Sequence, residues 1–313
     1  MTAPTTHTSP APRSAPFQAW LILASAGIIW GATFSLMKIA TDSGAHPLGL
    51  SLWNALLGAI ILIGVNIIRR RPVPLAPRYL KFYAICSVLG TSVPGAAYFY
   101  AAIHLPTGVL AITIAAVPML TFLAAAVMGI DRWSALRLTG VVLGLASVCL
   151  IVLPDTALPD PSSAIWMLAA LFAAVCYTTE NIYLTLKRPP EVDPMTLLIG
   201  MFSFATLMLI PVVIYADAYV PFALPPGKVE WAIIIMTIIN AFAYAAFIHL
   251  IAIAGPVFAS QMGYLVTLSG VGWGILIFGE SHSPWIWAAL CTMMAGLALV
   301  QPRKSKYTDQ TGD

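Results

Sequence analysis

The sequence predicts an all-α integral membrane protein of ten transmembrane helices, built as two inverted five-helix repeats (5+5) with both termini in the cytoplasm. Three observations predict it: a composition too apolar for water, long runs without a single charge, and a pattern of runs that recurs halfway along the chain. Of the 313 residues 60% are hydrophobic and only 9% charged, with a mean hydropathy of +0.90. A soluble domain carries roughly 25% charged residues because its surface must face water. Most side chains here therefore face lipid or one another.

A crossing helix needs about 20 mostly apolar residues. The uncharged runs are Ala15 to Met37, Ser43 to Ile68, Phe82 to Ile130, Leu138 to Pro154, Pro161 to Thr179, Met195 to Ala216, Trp231 to Gly279 and Ser281 to Pro302. Two of them, 49 residues each, are too long for one crossing. Each holds a breaker near its middle, His104-Leu105-Pro106 in one and Ala254-Gly255-Pro256 in the other. Proline suits the first turn of a helix and damages its interior, so each run divides in two. The predicted spans are 18–40, 46–68, 80–103, 107–129, 135–153, 163–186, 194–215, 230–252, 256–278 and 284–301. Residues 1–16, rich in Pro, Thr and Ser, read as a disordered tail, and 303–313 as a short cytoplasmic one.

Lys and Arg in short loops set orientation. With the N-terminus inside, thirteen basic residues fall on the cytoplasmic side, Arg69, Arg70, Arg71, Arg132, Arg137, Lys187 and Arg188 among them; only Lys228 and Lys38 fall outside. The two 49-residue runs begin 149 residues apart, and the same shift brings Lys38 onto Lys187, Lys81 onto Glu230, Asp131 onto Glu280 and Pro106-Thr107 onto Gly255-Pro256. This divides the chain into repeats 17–155 and 156–302. Five crossings is an odd number, so the second repeat enters the bilayer upside down. Inverted repeats that rock about a central site are a recurrent plan of secondary transporters.

Polar side chains at mid-depth should face a cavity or one another. Tyr177, Glu180 and Asn181 share a face of helix 6, Asn240 and Tyr244 a face of helix 8. Helix 9 offers Gln261, Tyr264 and Thr267, helix 1 Trp30 and Thr33, and helix 3 Thr91, Tyr98 and Tyr100. Glu180 stands out, because a charge at a helix centre costs about 2.5–3.5 kcal/mol on insertion scales. It either lines a substrate or proton path, snorkels, or pairs with Lys187. The other polar residues are equally readable as bonds between neighbouring helices. Gly27-xxx-Gly31, Gly140-xxx-Gly144 and Gly270-xxx-Gly274 permit close helix approach, the pair in helix 5 between subunits as well. Pro94 and Pro118 interrupt helices 3 and 4, and Trp285 and Trp287 fit an aromatic belt. His104 and His249, near helix ends, read as structural.

The segment Ile29-Trp30-Gly31-Ala32-Thr33-Phe34-Ser35-Leu36-Met37-Lys38 resembles the helix 1 signature of the EamA family of the drug/metabolite transporter superfamily. Ala115-Ala116-Val117-Pro118-Met119-Leu120 with Gly129-Ile130-Asp131, and the second-half counterpart ending Phe278-Gly279-Glu280, resemble it too, over about residues 18–301. The resemblance implies alternating access through a cavity lined mainly by helices 1, 3, 4, 6, 8 and 9, in a bacterial inner membrane, with exporters of amino acids, aromatic ones among them, as relatives. One departure is Thr267 where the first repeat has Pro118, so helix 9 should lack that kink.

The helix centres hold no Arg or Lys to pair with a dianionic phosphate, which disfavours sugar phosphates and nucleotide sugars. Aromatic residues with amide and hydroxyl donors suit a zwitterion with an apolar side chain, so export of neutral or aromatic amino acids is the expectation. The alternative is a lipophilic cation held by Glu180 and aromatic faces, exported against protons. No HExxH, GxSxG or acid cluster points to an enzyme, and no charge ring to a channel. Cys86, Cys149, Cys176 and Cys291 lie singly in apolar runs and no basic stripe is present, so neither a metal, a cofactor nor nucleic acid is expected. The expected partners are a small-molecule substrate and membrane lipid, for a monomer or homodimer.

Overall fold

A computed structural model describes residues 17–153, 157–158, 160–254 and 256–300; the two predicted tails lie outside them. All the regular structure among the described residues is helical. Its helices are α1 Phe17–Thr41, α2 Pro47–Arg69, α3 Pro77–His104, α4 Thr107–Val127, α5 Ala135–Val152, α6 Ala164–Lys187, α7 Pro194–Tyr215, α8 Lys228–Ala254, α9 Met262–Phe278 and α10 Pro284–Val300. Among the described residues eight are long and apolar enough to cross a membrane; α9 and α10 are shorter apolar helices of 17 residues each.

Local chemistry sets the boundaries. Proline opens α2, α3, α7 and α10, where its missing N–H leaves no partner wanting. His46 accepts from the N–H of Leu48 at the start of α2, and Asp193 from Thr196 at the start of α7. Gly279, at φ +64°, ends α9 in the left-handed conformation that costs glycine least.

Prolines also explain the interruptions. Pro94 has no N–H to carry the ladder, and α3 widens into a π-helical turn over Val88–Ser92 just before it. Pro118 has no N–H to offer the carbonyl of Ile114, and α4 breaks there, between Thr107–Ile114 and Ala116–Val127. α9 runs without interruption through Thr267. The expectation of one continuous helix over 256–278 is nevertheless corrected: a short turn, Pro256–Ala259, is separated from α9 at Ser260 and Gln261, where backbone bonds run from residue i+3 to i.

The packing repeats itself when α1–α5 are exchanged for α6–α10. α1 lies against α8 and α9, and α6 against α3 and α4; α2 faces α7 and α5 faces α10. Glycine makes the close approaches possible. A Cβ on Gly31 would run into Ser269 Oγ and lie 2.7 Å from the nitrogen of Gly270. Gly140 and Gly144 pack on Gly296 and Met119 of the same chain, so an intramolecular contact occupies the face that a subunit contact would need. Trp285 and Trp287 are exposed at the start of α10.

Gly31→Ala should lower the unfolding midpoint in detergent by an amount equivalent to roughly 1–3 kcal/mol of overpacking. Gly64→Ala, with nothing within 4 Å of the new methyl, should leave it unchanged or raise it. Equal midpoints for the two variants would contradict this packing.

Candidate functional site

Between the two sets of helices lies a cavity of about 590 Å³, within the usual range for small-molecule sites. Its walls come from α1, α3, α4, α6, α8 and α9, and also from α2 and α7. Trp30, Thr33, Thr91, Tyr98, Tyr177, Glu180, Asn181, Asn240 and Tyr244 all line it, with Thr267. Gln261 and Tyr264 do not. Gln261 stands at the break ahead of α9, and Tyr264 packs half-buried against the main apolar core. Tyr100 also faces elsewhere, stacked on Trp166, while His104 stacks on the same indole and His249 is exposed.

The lining is cross-braced. Trp30 Nε1 donates to Asn240 Oδ1 at 3.0 Å, joining α1 to α8. Tyr98 Oη and Thr113 Oγ1 are 3.0 Å apart, joining α3 to α4, and the Tyr98 ring lies 6.3 Å from that of Tyr177. Asn181 Nδ2 reaches Thr121 Oγ1 at 3.5 Å. Thr237 donates to Asn54 Oδ1 at 3.2 Å, tying α8 to α2. Asn54 and Thr237 escaped the sequence reading, although both carried a signal. Asn54 is an amide inside an uncharged run, and Thr237 is one turn from Asn240 on the same face.

Glu180 supplies the one carboxylate among the lining residues, and no Lys or Arg joins it there. The residue is only 8% exposed, and among the described residues no hydrogen bond or ion pair is formed by its carboxylate. Pairing with Lys187 is not formed; that side chain is exposed. The carboxyl instead lies over Gly90 in the π-helical turn, where a Cβ would run into Oε2. Any side chain at position 90 would have to push the carboxyl aside.

The two ends of the cavity differ: side chains shut the one at the α3–α4 turn, and the lining runs on toward the other. At the α3–α4 turn, Lys38 Nζ bonds the carbonyls of Ala102 and Ile103, and Glu280 accepts from the N–H groups of Thr107 and Gly108. The lining instead extends down α6 to Leu184, along Leu197, Leu198 and Met201 of α7, and to Phe247 and Ser260 beside the α8–α9 break. α9 packs against the Thr107–Ile114 half of α4 but stands apart from the Ala116–Val127 half.

The model of the EamA-like transporter family matches the chain twice, over residues 18–153 and 164–301. The chain belongs to that family. It is 25% identical over 276 residues to an uncharacterized inner membrane transporter, YedA, of Escherichia coli strain K12, a match covering 87% of each chain. The YedA proteins of E. coli O6:H1 and O157:H7 match equally. One protein of known crystal structure shares the fold with a TM-score of 0.61 at 16% identity, over 90% of this chain and 97% of that one. This EamA protein is thus an integral protein of a bacterial inner membrane, of the drug/metabolite transporter superfamily.

The Trp30–Asn240 bond should be measurable. A double-mutant cycle of Trp30→Phe and Asn240→Ala, read by unfolding in micelles, should give a coupling of about 0.6–1.7 kcal/mol. A coupling of zero would show that the bond does not form in the folded protein.

Proposed function

We propose that this EamA protein is a secondary transporter that exports a small amphipathic metabolite bearing an amine, a neutral or aromatic amino acid foremost, by alternating access. The observation that carries the reading is Glu180: a lone buried carboxylate in an aromatic, amide-lined cavity with no basic residue beside it. An ammonium group would answer its charge, and the faces of Trp30, Tyr98, Tyr177 and Tyr244 would take the side chain. Asn54, Asn181, Asn240 and the cavity hydroxyls would serve the carboxylate end. A dianion has nothing there to meet it.

The proposed architecture is ten crossings in two inverted units, 17–155 and 156–302, with both termini inside. Support comes from the family model matching each half, from the packing that survives exchange of the halves, and from the excess of Lys and Arg in the loops at the cavity's open end. The open end is then cytoplasmic, the side from which an exporter loads. The monomer holds a whole cavity, so transport needs no second copy.

A second reading rests on the same carboxylate. A lipophilic organic cation would also neutralise Glu180 and stack on the surrounding rings, with a proton returning in exchange.

Uptake into proteoliposomes of purified protein separates the two, using labelled neutral and aromatic amino acids and one lipophilic cation, with and without a pH gradient. Saturable amino-acid uptake that the cation does not inhibit is the expected result. Cation uptake alone, stimulated by a pH gradient, would replace this reading with the second. Glu180→Gln should cut uptake of amine-bearing substrates at least tenfold, the loss of one buried charge partner costing more than about 1.4 kcal/mol. Unchanged uptake by that variant would remove Glu180 from the site.

A further inference from the structure

The closed end of the cavity is held by two side chains of opposite charge, each on a helix end of the matching polarity. Lys38, in the last turn of α1, puts Nζ 3.0 Å from the carbonyl of Ala102 and 3.3 Å from that of Ile103, at the C-terminus of α3. Glu280, just beyond α9, accepts from the N–H of Thr107 at 2.7 Å and of Gly108 at 3.2 Å, at the N-terminus of α4. The free carbonyls of a helix C-terminus attract a cation and the free amides of an N-terminus an anion. Together the pair clamps both arms of the α3–α4 hairpin. Glu280 is 12% exposed and His282, 3.4 Å from its Oε2, is 1% exposed. Burial holds the His282 imidazole below its ordinary value, against the pull of the carboxylate, so at neutral pH it leaves the charge of Glu280 to the amides.

The 149-residue shift gives each clamp a counterpart. Lys38 falls on Lys187 and Glu280 on Asp131; the helix ends they hold fall on Ile251 and Ala252, closing α8, and on Pro256 and Val257. At this opposite end, where the cavity is open, neither counterpart is engaged. Lys187 is exposed and forms no hydrogen bond or ion pair among the described residues, and Asp131 is taken by Arg137 Nη1 at 2.6 Å.

We propose that Lys38 and Glu280 form the outer latch of the transport cycle, and that Lys187 and Asp131 form the inner latch, one pair engaging as the other releases. This rests on the alternating-access reading and adds to it the residues that hold each end shut. The two latches are unequal. Thr107 offers an N–H to Glu280, whereas its counterpart Pro256 has none, and aspartate is the shorter acid. The inner latch has one donor fewer, and the protein rests with the inner end open.

Hydrogen exchange of the full chain in lipid nanodiscs, read over the segments 97–112 and 246–262, tests the proposal without a substrate. Glu280→Gln should speed exchange in the first segment about tenfold, as one charge-assisted capping interaction is lost. It should also slow the second segment, because the inner end closes; simple fraying of a cap would not do that. Lys38→Met should give the same reciprocal pattern. Adding Asp131→Asn to Glu280→Gln should return the second segment to its original rate. Faster exchange in the first segment with the second unchanged would overturn the proposal, leaving Glu280 a plain helix cap. If Glu280→Gln loosened both segments, the fold itself would have suffered and Lys38→Met would decide; no reciprocal change there overturns the latch. Wild-type uptake without reciprocal exchange refutes the latch alone, while reciprocal exchange without uptake of any tested compound refutes only the substrate.

Discussion

A lipid interior supplies no water to an unpaired backbone group, and each such group left in hydrocarbon costs several kcal/mol. The rest of this structure depends on that constraint. Helix interiors satisfy themselves, so irregular backbone is affordable only where it meets protein or a wet cavity. The interruptions inside the helices obey this: Gly90 and Thr91 of the π-helical turn, Ala115 at the break in α4 and Ser260 ahead of α9 all border the central cavity. The breaks therefore do two things at once. They bend the helices around a space, and they turn polar backbone into that space instead of into lipid.

Close packing supplies the other half of the design. In lipid, apolar side chains gain little by leaving their surroundings, and association relies on contact area and close backbone approach. Gly27 and Gly31 let α1 sit directly on α9, and Gly140 with Gly296 lets α5 sit on α10. The α4–α9 seam is similarly tight only along its first half, where Gly270 meets Ala111 and Gly274 leaves room for Glu280. A seam zipped at one end and parted at the other gives the molecule a direction. Its two ends differ less in kind of residue than in which contacts are made.

Much of this was legible in the sequence because it follows from solvent. Apart from α9, which begins at Met262 and not at 256, the apolar helices fall within a few residues of the spans read from uncharged runs and proline breakers, and α7 coincides at 194–215. Mid-depth polarity located most of the polar residues that line the cavity for the same reason. It failed where a side chain could find a neighbour without facing the cavity, as Tyr264 does in the core. It also passed over Asn54, whose one polar companion a turn away on α2 is the small hydroxyl of Ser51. The break at Ser260 and Gln261 left no proline of its own within the helix, so composition could not announce it. Side-chain pairing was the least legible level: the spacing from Glu180 to Lys187 permits an ion pair, yet the acid turns toward Gly90 in another helix.

That orientation of Glu180 bears on how the proposed cycle could stay coupled. An unpaired carboxylate is tolerable as long as water can enter the cavity around it. Sealing both ends would strand the charge in a dry, aromatic space, at a cost that rises steeply as water leaves. Occlusion is therefore cheap only once a proton or a substrate amine has neutralised it. Helix-end contacts of the kind made by Lys38 and Glu280 bring roughly 0.3–2 kcal/mol each. That sum is comparable to the cost of a bare buried carboxylate and too small to exceed it by a wide margin. With terms so balanced, an empty, charged site would hold one end open, and a filled or protonated one would let the ends exchange. The acid then needs no direct link to either latch, because the electrostatic cost of closing over it does the coupling.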